Sequence, residues 1–234
     1  MARIPAAERR VELIDAAVRV IAESGVDGAT TRRIADEANA PLATLHYCFA
    51  SKEVLFAAVF EHVAGQYRDV LLANDCHGDV RATTRGLLRA MAEWYLTNRE
   101  TAQAIAELIS WAQRQDAQQA HLVYDEAITT MRDIVGAAAE SAGQDLEPEI
   151  VDELVTLVTT MSDGFALNYL VFPDRDAALH QIDLLVGVLD MWMDARLAAA
   201  PADSRSASVV VSMFDGVTPP ESRLRSSLVS WVPA

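Results

Sequence analysis

The chain has few of the residues that interrupt or cross-link a fold. Its 234 residues include two cysteines, ten glycines and eight prolines. Cys48 and Cys76 are too few for a disulfide framework and suit a reducing compartment, the cytoplasm. No run of about 18 apolar residues is present, so no membrane span is expected. The opening stretch MARIPAAERRVELID has neither an unbroken apolar core nor a cleavage site, and it is not expected to act as a signal peptide. Gly-rich phosphate loops, internal repeats and low-complexity tracts are also missing. Runs of β-branched residues are rare while Ala and Leu abound, which points to an all-α protein. With 51% hydrophobic residues, a chain of this length buries a real core in one or two domains.

Positive charge is scarce as well, and unevenly so. The net charge is −15. Residues 1–55 hold seven Lys or Arg against eight Asp or Glu, whereas the remainder holds twelve against 26. The amino-terminal end is therefore nearly neutral and the body strongly acidic. Such a body is repelled by phosphate, which would orient the molecule with its head toward a nucleic acid.

The stretch Thr30 to Lys52, TTRRIADEANAPLATLHYCFASK, organises that head. Thr30 can cap a helix carrying Ile34, Ala35 and Ala38 on its inner face. Asn39-Ala40-Pro41 breaks the pattern, since Asn tolerates turn geometry and Pro disfavours helix in the residue before it. Leu42 to Phe49 resumes as a second short helix with Leu45 and Phe49 inward. Two short helices about a tight turn form a helix-turn-helix layout. Ahead of it, residues 9–24 read as a supporting helix with Val11, Ile14, Val18 and Ile21 on one stripe, ended by Gly25. Ser51-Lys52-Glu53 opens a long helix to about residue 73, whose start pairs a free helix N-terminus with a cation.

These residues carry a specific resemblance. From about Arg9 to Val63 the chain resembles the DNA-binding domain of the TetR family of bacterial regulators. The likeness lies in Gly25, the Gly-Ala-Thr-Thr-Arg-Arg-Ile-Ala run, Thr44-Leu45, Tyr47, Phe49 and Ser51-Lys52-Glu53. It implies an all-α, two-domain homodimer binding a palindromic operator in double-stranded DNA. The expected layout is a helix-turn-helix head over 1–53, an effector-binding and dimerisation domain over 54–200 and a tail over 201–234. By the resemblance, Thr31 and Arg32 lie near DNA, with Arg33 a further candidate. Leu42, Ala43 and Thr44 begin the recognition helix, and His46, Tyr47 and Lys52 meet backbone phosphates. Two departures stand out: His46 replaces the family's usual Tyr, and Cys48 replaces an aromatic or His. Tyr47 has a competing assignment in the head's own core.

Beyond a polar break at residues 74–79, helices are expected at about 80–97, 100–115, 119–142, 147–171 and 175–199. Aromatic and Met side chains on several of them suggest a mostly apolar pocket for a flat or greasy small effector. Its candidate lining is Trp94, Trp111, Gln115, His121, Tyr124, Met161, Phe165 and Asn168, though each large residue has ordinary core packing as its alternative. The last two helices form an αα-hairpin with apolar positions Val155, Val158, Ile182, Leu185, Val186 and Leu189. In the TetR family such a hairpin commonly pairs with its symmetry mate. A dimer is also favoured because one helix-turn-helix reads too few bases to be selective, yet both apolar faces could be used inside the monomer.

No cofactor or metal is expected: His62, Cys76 and His77 fit no zinc spacing. Enzymatic chemistry lacks a recognisable nucleophile–base pair or carboxylate pair. An enzyme acting on the bound molecule, or a protein-interaction module with a degenerate head, remain the alternatives to a repressor. Pro, Ser, Asp and Gly increase over residues 201–234, which read as a flexible tail. Val209, Met213, Phe214, Leu228 and Trp231 are more apolar than a disordered segment requires, and docking on the body or on a partner subunit is the alternative.

Overall fold

A computed structural model of the chain describes residues 5–73, 78–115 and 118–197, with the side chains at 115, 118–120, 122 and 123 outside the description. Among the described residues there are nine α-helices and no strand. They are α1 (Ala6–Gly28), α2 (Thr31–Glu37), α3 (Leu42–Cys48), α4 (Lys52–Ala73), α5 (Val80–Thr97), α6 (Arg99–Gln115), α7 (Gln118–Ser141), α8 (Pro148–Val171) and α9 (Arg175–Leu197). The five spans expected after residue 80 agree with α5 to α9 to within two residues at every end. The expected tail lies outside the described residues.

The helix boundaries follow local chemistry. Asp79 caps α5 by accepting from the Ala82 N–H at 2.8 Å. Pro148 occupies the first turn of α8, where a missing N–H costs nothing. Asp174 opens α9 by accepting from the N–H groups of Asp176 and Ala177. Gly25 takes a non-helical φ of 68° and ends the long first part of α1, as its place in the sequence predicts, and a short further turn follows the kink to Gly28. Glycine is required for that conformation. Gly25 also faces α6, where a Cβ at this position would stand 3.4 Å from a carboxylate oxygen of Glu107.

α1 packs on α2, α4 and α6. Leu13, Ile14, Ala16, Ala17, Val18 and Ile21 form its buried face, whereas Val11, expected on that stripe, is 45% exposed. Small fully buried residues on α6, Ala104 and Ala112, permit the close approach. In the body, α4 lies against α7 and α5 against α8. Phe56, Phe60, Leu71, Leu87, Leu88 and Phe165 are fully buried there, each worth roughly 1.5–3 kcal/mol of apolar burial.

α9 is held in two ways. Ala178, Ile182, Val186, Leu189 and Met193 are buried at spacings of three and four. An antiparallel ladder of ion pairs then ties it to α5: Arg81 to Asp194 at 2.6 Å, Arg85 to Asp190, and Arg89 to Asp183 at 2.7 Å. These pairs are largely exposed, so each contributes about 0–1 kcal/mol. Among the described residues, the other faces of α8 and α9 are exposed. α8 is long and apolar enough to cross a membrane by length and composition, a test that the core helix of a globular protein also passes. Scattered Thr, Ser and Asp residues break its run without lowering its average, and α8 packs one side on α5 and α7.

Candidate nucleic-acid interface and ligand cavity

The head is built as the spacing of its residues predicts. The Thr30 hydroxyl accepts from the Arg33 N–H at 3.2 Å, capping α2. Asn39 takes φ of 49° in the turn, and the Ala40 N–H bonds back to the Ala35 carbonyl at 2.9 Å. Ile34, Ala35, Leu45 and Phe49 are buried beneath. Arg32, Ala43, His46 and Tyr47 are exposed on the outer surface, and Thr31, Leu42 and Thr44 are half-buried. Tyr47 is 82% exposed, which removes its assignment to the head's core. Ser51 accepts from the Val54 N–H at 3.3 Å to start α4, and hydrogen bonds from Ser51 and from the Glu53 backbone hold the Glu53 carboxyl below its ordinary range.

Most cations of the head are spent on the head itself. Arg9 pairs with Glu12 at 2.7 Å and Arg19 with Glu37 at 2.6 Å. Arg10 donates to the Cys48 carbonyl at 3.0 Å and lies 4.3 Å from the Phe49 ring centroid, fixing the end of α3. Arg33 bridges Glu23 and the Gly28 carbonyl. Lys52 donates to the Val26 carbonyl at 2.9 Å and sits 5.1 Å from the Phe56 ring centroid. Among the described Lys and Arg of residues 5–55, Arg32 alone has no intramolecular partner. Arg33 and Lys52, both expected near DNA, thus also hold α1 against the motif and the start of α4. The spacing gave no sign of the Lys52 contact, because its acceptor is a backbone carbonyl.

Five helices of the body surround a cavity of about 230 Å³. α4 contributes Tyr67, α5 Met91 and Tyr95, α6 residues from Ala102 to Gln113, α7 Tyr124 and Met131, and α8 Ser162, Asp163 and Leu167. The Tyr67 hydroxyl donates to that of Tyr95 at 3.2 Å, and Tyr124 donates to Asp163 at 3.0 Å. Trp94 backs this cluster, edge-on to Tyr67 at 4.7 Å and to Tyr95 at 5.3 Å between ring centroids. Burial pushes the Tyr95 hydroxyl up to about 12 and raises Tyr67 and Tyr124 as well. Burial also lifts the Asp163 carboxyl, partly opposed by the bond from Tyr124.

Residues 13–59 match the family described as bacterial regulatory proteins, tetR family. Over 195 residues the chain is 31% identical to the HTH-type nicotine-responsive transcriptional repressor HdnoR of Paenarthrobacter nicotinovorans, covering 82% of this chain and 97% of that one. The chain belongs to the TetR family. It is a DNA-binding transcriptional regulator with an all-α fold. A TetR-family structure from Streptomyces coelicolor A3 is 26% identical, with a TM-score of 0.59 over 76% of this chain and 96% of that one. A transcriptional regulator from Pseudomonas aeruginosa PAO1 shares the fold at 20% identity, with a TM-score of 0.68 over 85% of this chain and 94% of that one.

The cavity of this TetR-family protein takes only Tyr124 from the lining expected of it. Trp94 stands behind the tyrosines, and Trp111 packs edge-on against Phe56 at 5.4 Å on the α4–α6 contact. Phe165 is buried and stacks on Tyr169 at 6.3 Å. Met161 is half-buried off the cavity, Asn168 and His121 are exposed, and the Gln115 side chain lies outside the description. Sequence reasoning passed over Tyr67 and Asp163. The signal for Asp163 was available as a lone carboxylate between Met161 and Phe165. Among the described residues no group of His, Cys, Asp and Glu is arranged to hold a metal.

The hairpin residues also differ from expectation. Val155, Val158, Ile182, Val186 and Leu189 are buried within this one chain, and Leu185 is half-buried. Exposed instead are Leu167, Val171 and Phe172 around the end of α8, and Leu184, Val188 and Met191 on α9. Both helices are apolar on two sides, and periodicity alone does not say which side faces the chain's own core.

Proposed function

We propose that the protein is a homodimeric, cytoplasmic repressor that leaves a palindromic operator when a compact, largely hydrophobic effector fills the cavity. The observation that carries this reading is the double duty of α4 and α6. Tyr67 of α4 lines the cavity, while Lys52 at the start of the same helix is tied to α1 through Val26. Ala106 of α6 lines the cavity, while Glu107 beside it stands against Gly25 of α1. A ligand that shifts either wall therefore acts on the head without touching it. The nicotine response in HdnoR's name supports small-molecule control.

The reading takes Thr31, Arg32, Leu42, Ala43, Thr44, His46 and Tyr47 as the DNA surface. Two copies joined through Leu167, Val171, Leu184, Val188 and Met191, with Gly164 and Gly187 exposed on the same helices, would present two recognition helices. These must lie about 34 Å apart to enter successive major grooves. Ligand and DNA then weaken each other by the same factor.

Selection of bound sites from random duplex DNA tests this directly. A pseudo-palindrome with half-sites one helical turn apart is the expected product, and hydrophobic compounds that bind the protein should release it. A refolded, ligand-free dimer that enriches no sequence at low salt would end the repressor reading.

A further inference from the structure

Asp163 places a carboxylate in the wall of a cavity that is otherwise uncharged. It stands about two-thirds of the way along α8, and the residues sharing that space are aromatic, aliphatic, thioether, hydroxyl or amide in character, with no Lys, Arg or His among them. Its partner among the described residues is the Tyr124 hydroxyl at 3.0 Å. A neutral hydrogen bond orients a carboxylate but does not balance its charge. A partly buried charge without a counter-charge costs free energy on folding. A pocket meant for neutral hydrocarbon would gain nothing from that cost.

We infer that the effector is a compact organic cation, an amine whose N–H donates to Asp163 while its apolar rings lie among Tyr67, Tyr95 and Tyr124. The inference rests on the proposed effector-responsive reading and specifies the ligand class of that same cavity. Three features support it independently of one another. The tyrosine rings supply electron-rich walls that attract a cation, an effect that grows when water is excluded. Met91 and Met131 add polarisable surface able to follow an irregular ligand. The volume of about 230 Å³ lies below the roughly 300–1,000 Å³ common for ligand pockets, which favours a one- or two-ring molecule over a long acyl chain. The carboxylate also discriminates. It repels an anionic head group, and it leaves an isosteric neutral compound with no charge to meet.

The test uses the full-length protein and three probes of similar size: N-benzylpyrrolidine as the amine, N-benzoylpyrrolidine as its neutral amide and 4-phenylbutyrate as an anion. Titration calorimetry should find the amine binding at least tenfold more tightly than the amide, with the anion weakest. Asp163→Asn should remove the preference for the amine over the amide. Equal binding of amine and amide by the wild type, which needs no variant, would overturn the inference. So would an Asn variant that keeps the preference. Operator release by the same probes separates the two readings. Amine binding without release sinks the effector reading and leaves the cation site standing. Release by amide or anion alone sinks the cation class and leaves the effector reading. Binding by none of a set of such triples spanning ring sizes counts against both.

Discussion

Lys52 Nζ donates a 2.9 Å hydrogen bond to the carbonyl of Val26, joining the first residue of α4 to the kinked end of α1. That carbonyl also accepts from the Ala29 N–H at 3.3 Å, so the lysine completes a short junction between α1, α2 and α4. A cation at a helix N-terminus invites assignment to a phosphate, but this one is half-buried and engaged.

Lys52→Gln is therefore expected to act first on folding. Loss of a charge-assisted hydrogen bond costs about 1.5–3 kcal/mol, equivalent to a fall of about 3–12 °C in a domain of this size. Thermal unfolding reads it. The slope of log affinity against log salt should change little, because few counterions are released through a group already satisfied. A slope reduced by a full unit at unchanged Tm would return Lys52 to the phosphate.

Arg32 should behave in the opposite way. It is exposed and lacks an intramolecular partner among the described residues, so Arg32→Ala should leave stability within about 0.5 kcal/mol. If its guanidinium meets a phosphate, operator affinity falls and the salt slope drops by about one unit. Tyr47→Phe complements it: at 82% exposure the ring has little to lose on folding. Removing one hydroxyl–phosphate bond should weaken the operator by several-fold, as about 1 kcal/mol implies. A large loss of Tm in either variant would contradict this surface assignment.

Asp163 gives a pH dependence with a definite sign. Burial lifts its carboxyl above the ordinary value, and the groups facing it, Tyr67, Tyr95 and Tyr124, stay neutral because their own values are raised. The folded protein thus holds the Asp163 proton more tightly than the unfolded chain does. Its contribution is most favourable below the unfolded carboxylate value and is lost as pH rises through the raised folded value. In ligand-free protein Asp163→Asn should abolish this decline and raise Tm at neutral pH. An Asn variant less stable than wild type at neutral pH would show that the carboxylate has an unrecognised structural partner.

The hairpin helices separate two kinds of apolar residue. Val188→Glu, on the exposed side of α9, should leave a folded chain and shift it from dimer to monomer in analytical ultracentrifugation. Val155→Glu, 2% exposed on α8, buries an unpaired charge and should cost at least about 3 kcal/mol or prevent folding. A Val188→Glu protein that remains dimeric would move the interface elsewhere.

Which of these features could be read beforehand depended on their physical origin. Helix spans were legible because each arises from a local period interrupted by Pro, Gly or a polar loop, as at Gly143, Pro148 and Pro173. The motif turn was legible because Asn39 and Pro41 impose backbone geometry on their own. The cavity was not, since its wall is assembled from five helices and periodicity states only that a residue points inward. Large aromatics drew attention, yet Trp111 and Phe165 fill helix–helix contacts where their bulk is needed. The informative residue was a small charged one. Intramolecular capture of Lys52 was equally hidden, because a backbone carbonyl leaves no trace in the residue pattern.

Adjacent positions on α6 answer to opposite demands: Ala106 borders the cavity and Glu107 borders Gly25. A lineage acquiring a new ligand preference through α6 would therefore risk the posture of its own head. Changes on α8, at Ser162 or Asp163, carry less of that cost, since among the described residues this helix packs on α5, α6 and α7. Diversification of ligand choice should accordingly concentrate on the far wall of the cavity. The near wall, shared with the head, would evolve slowly.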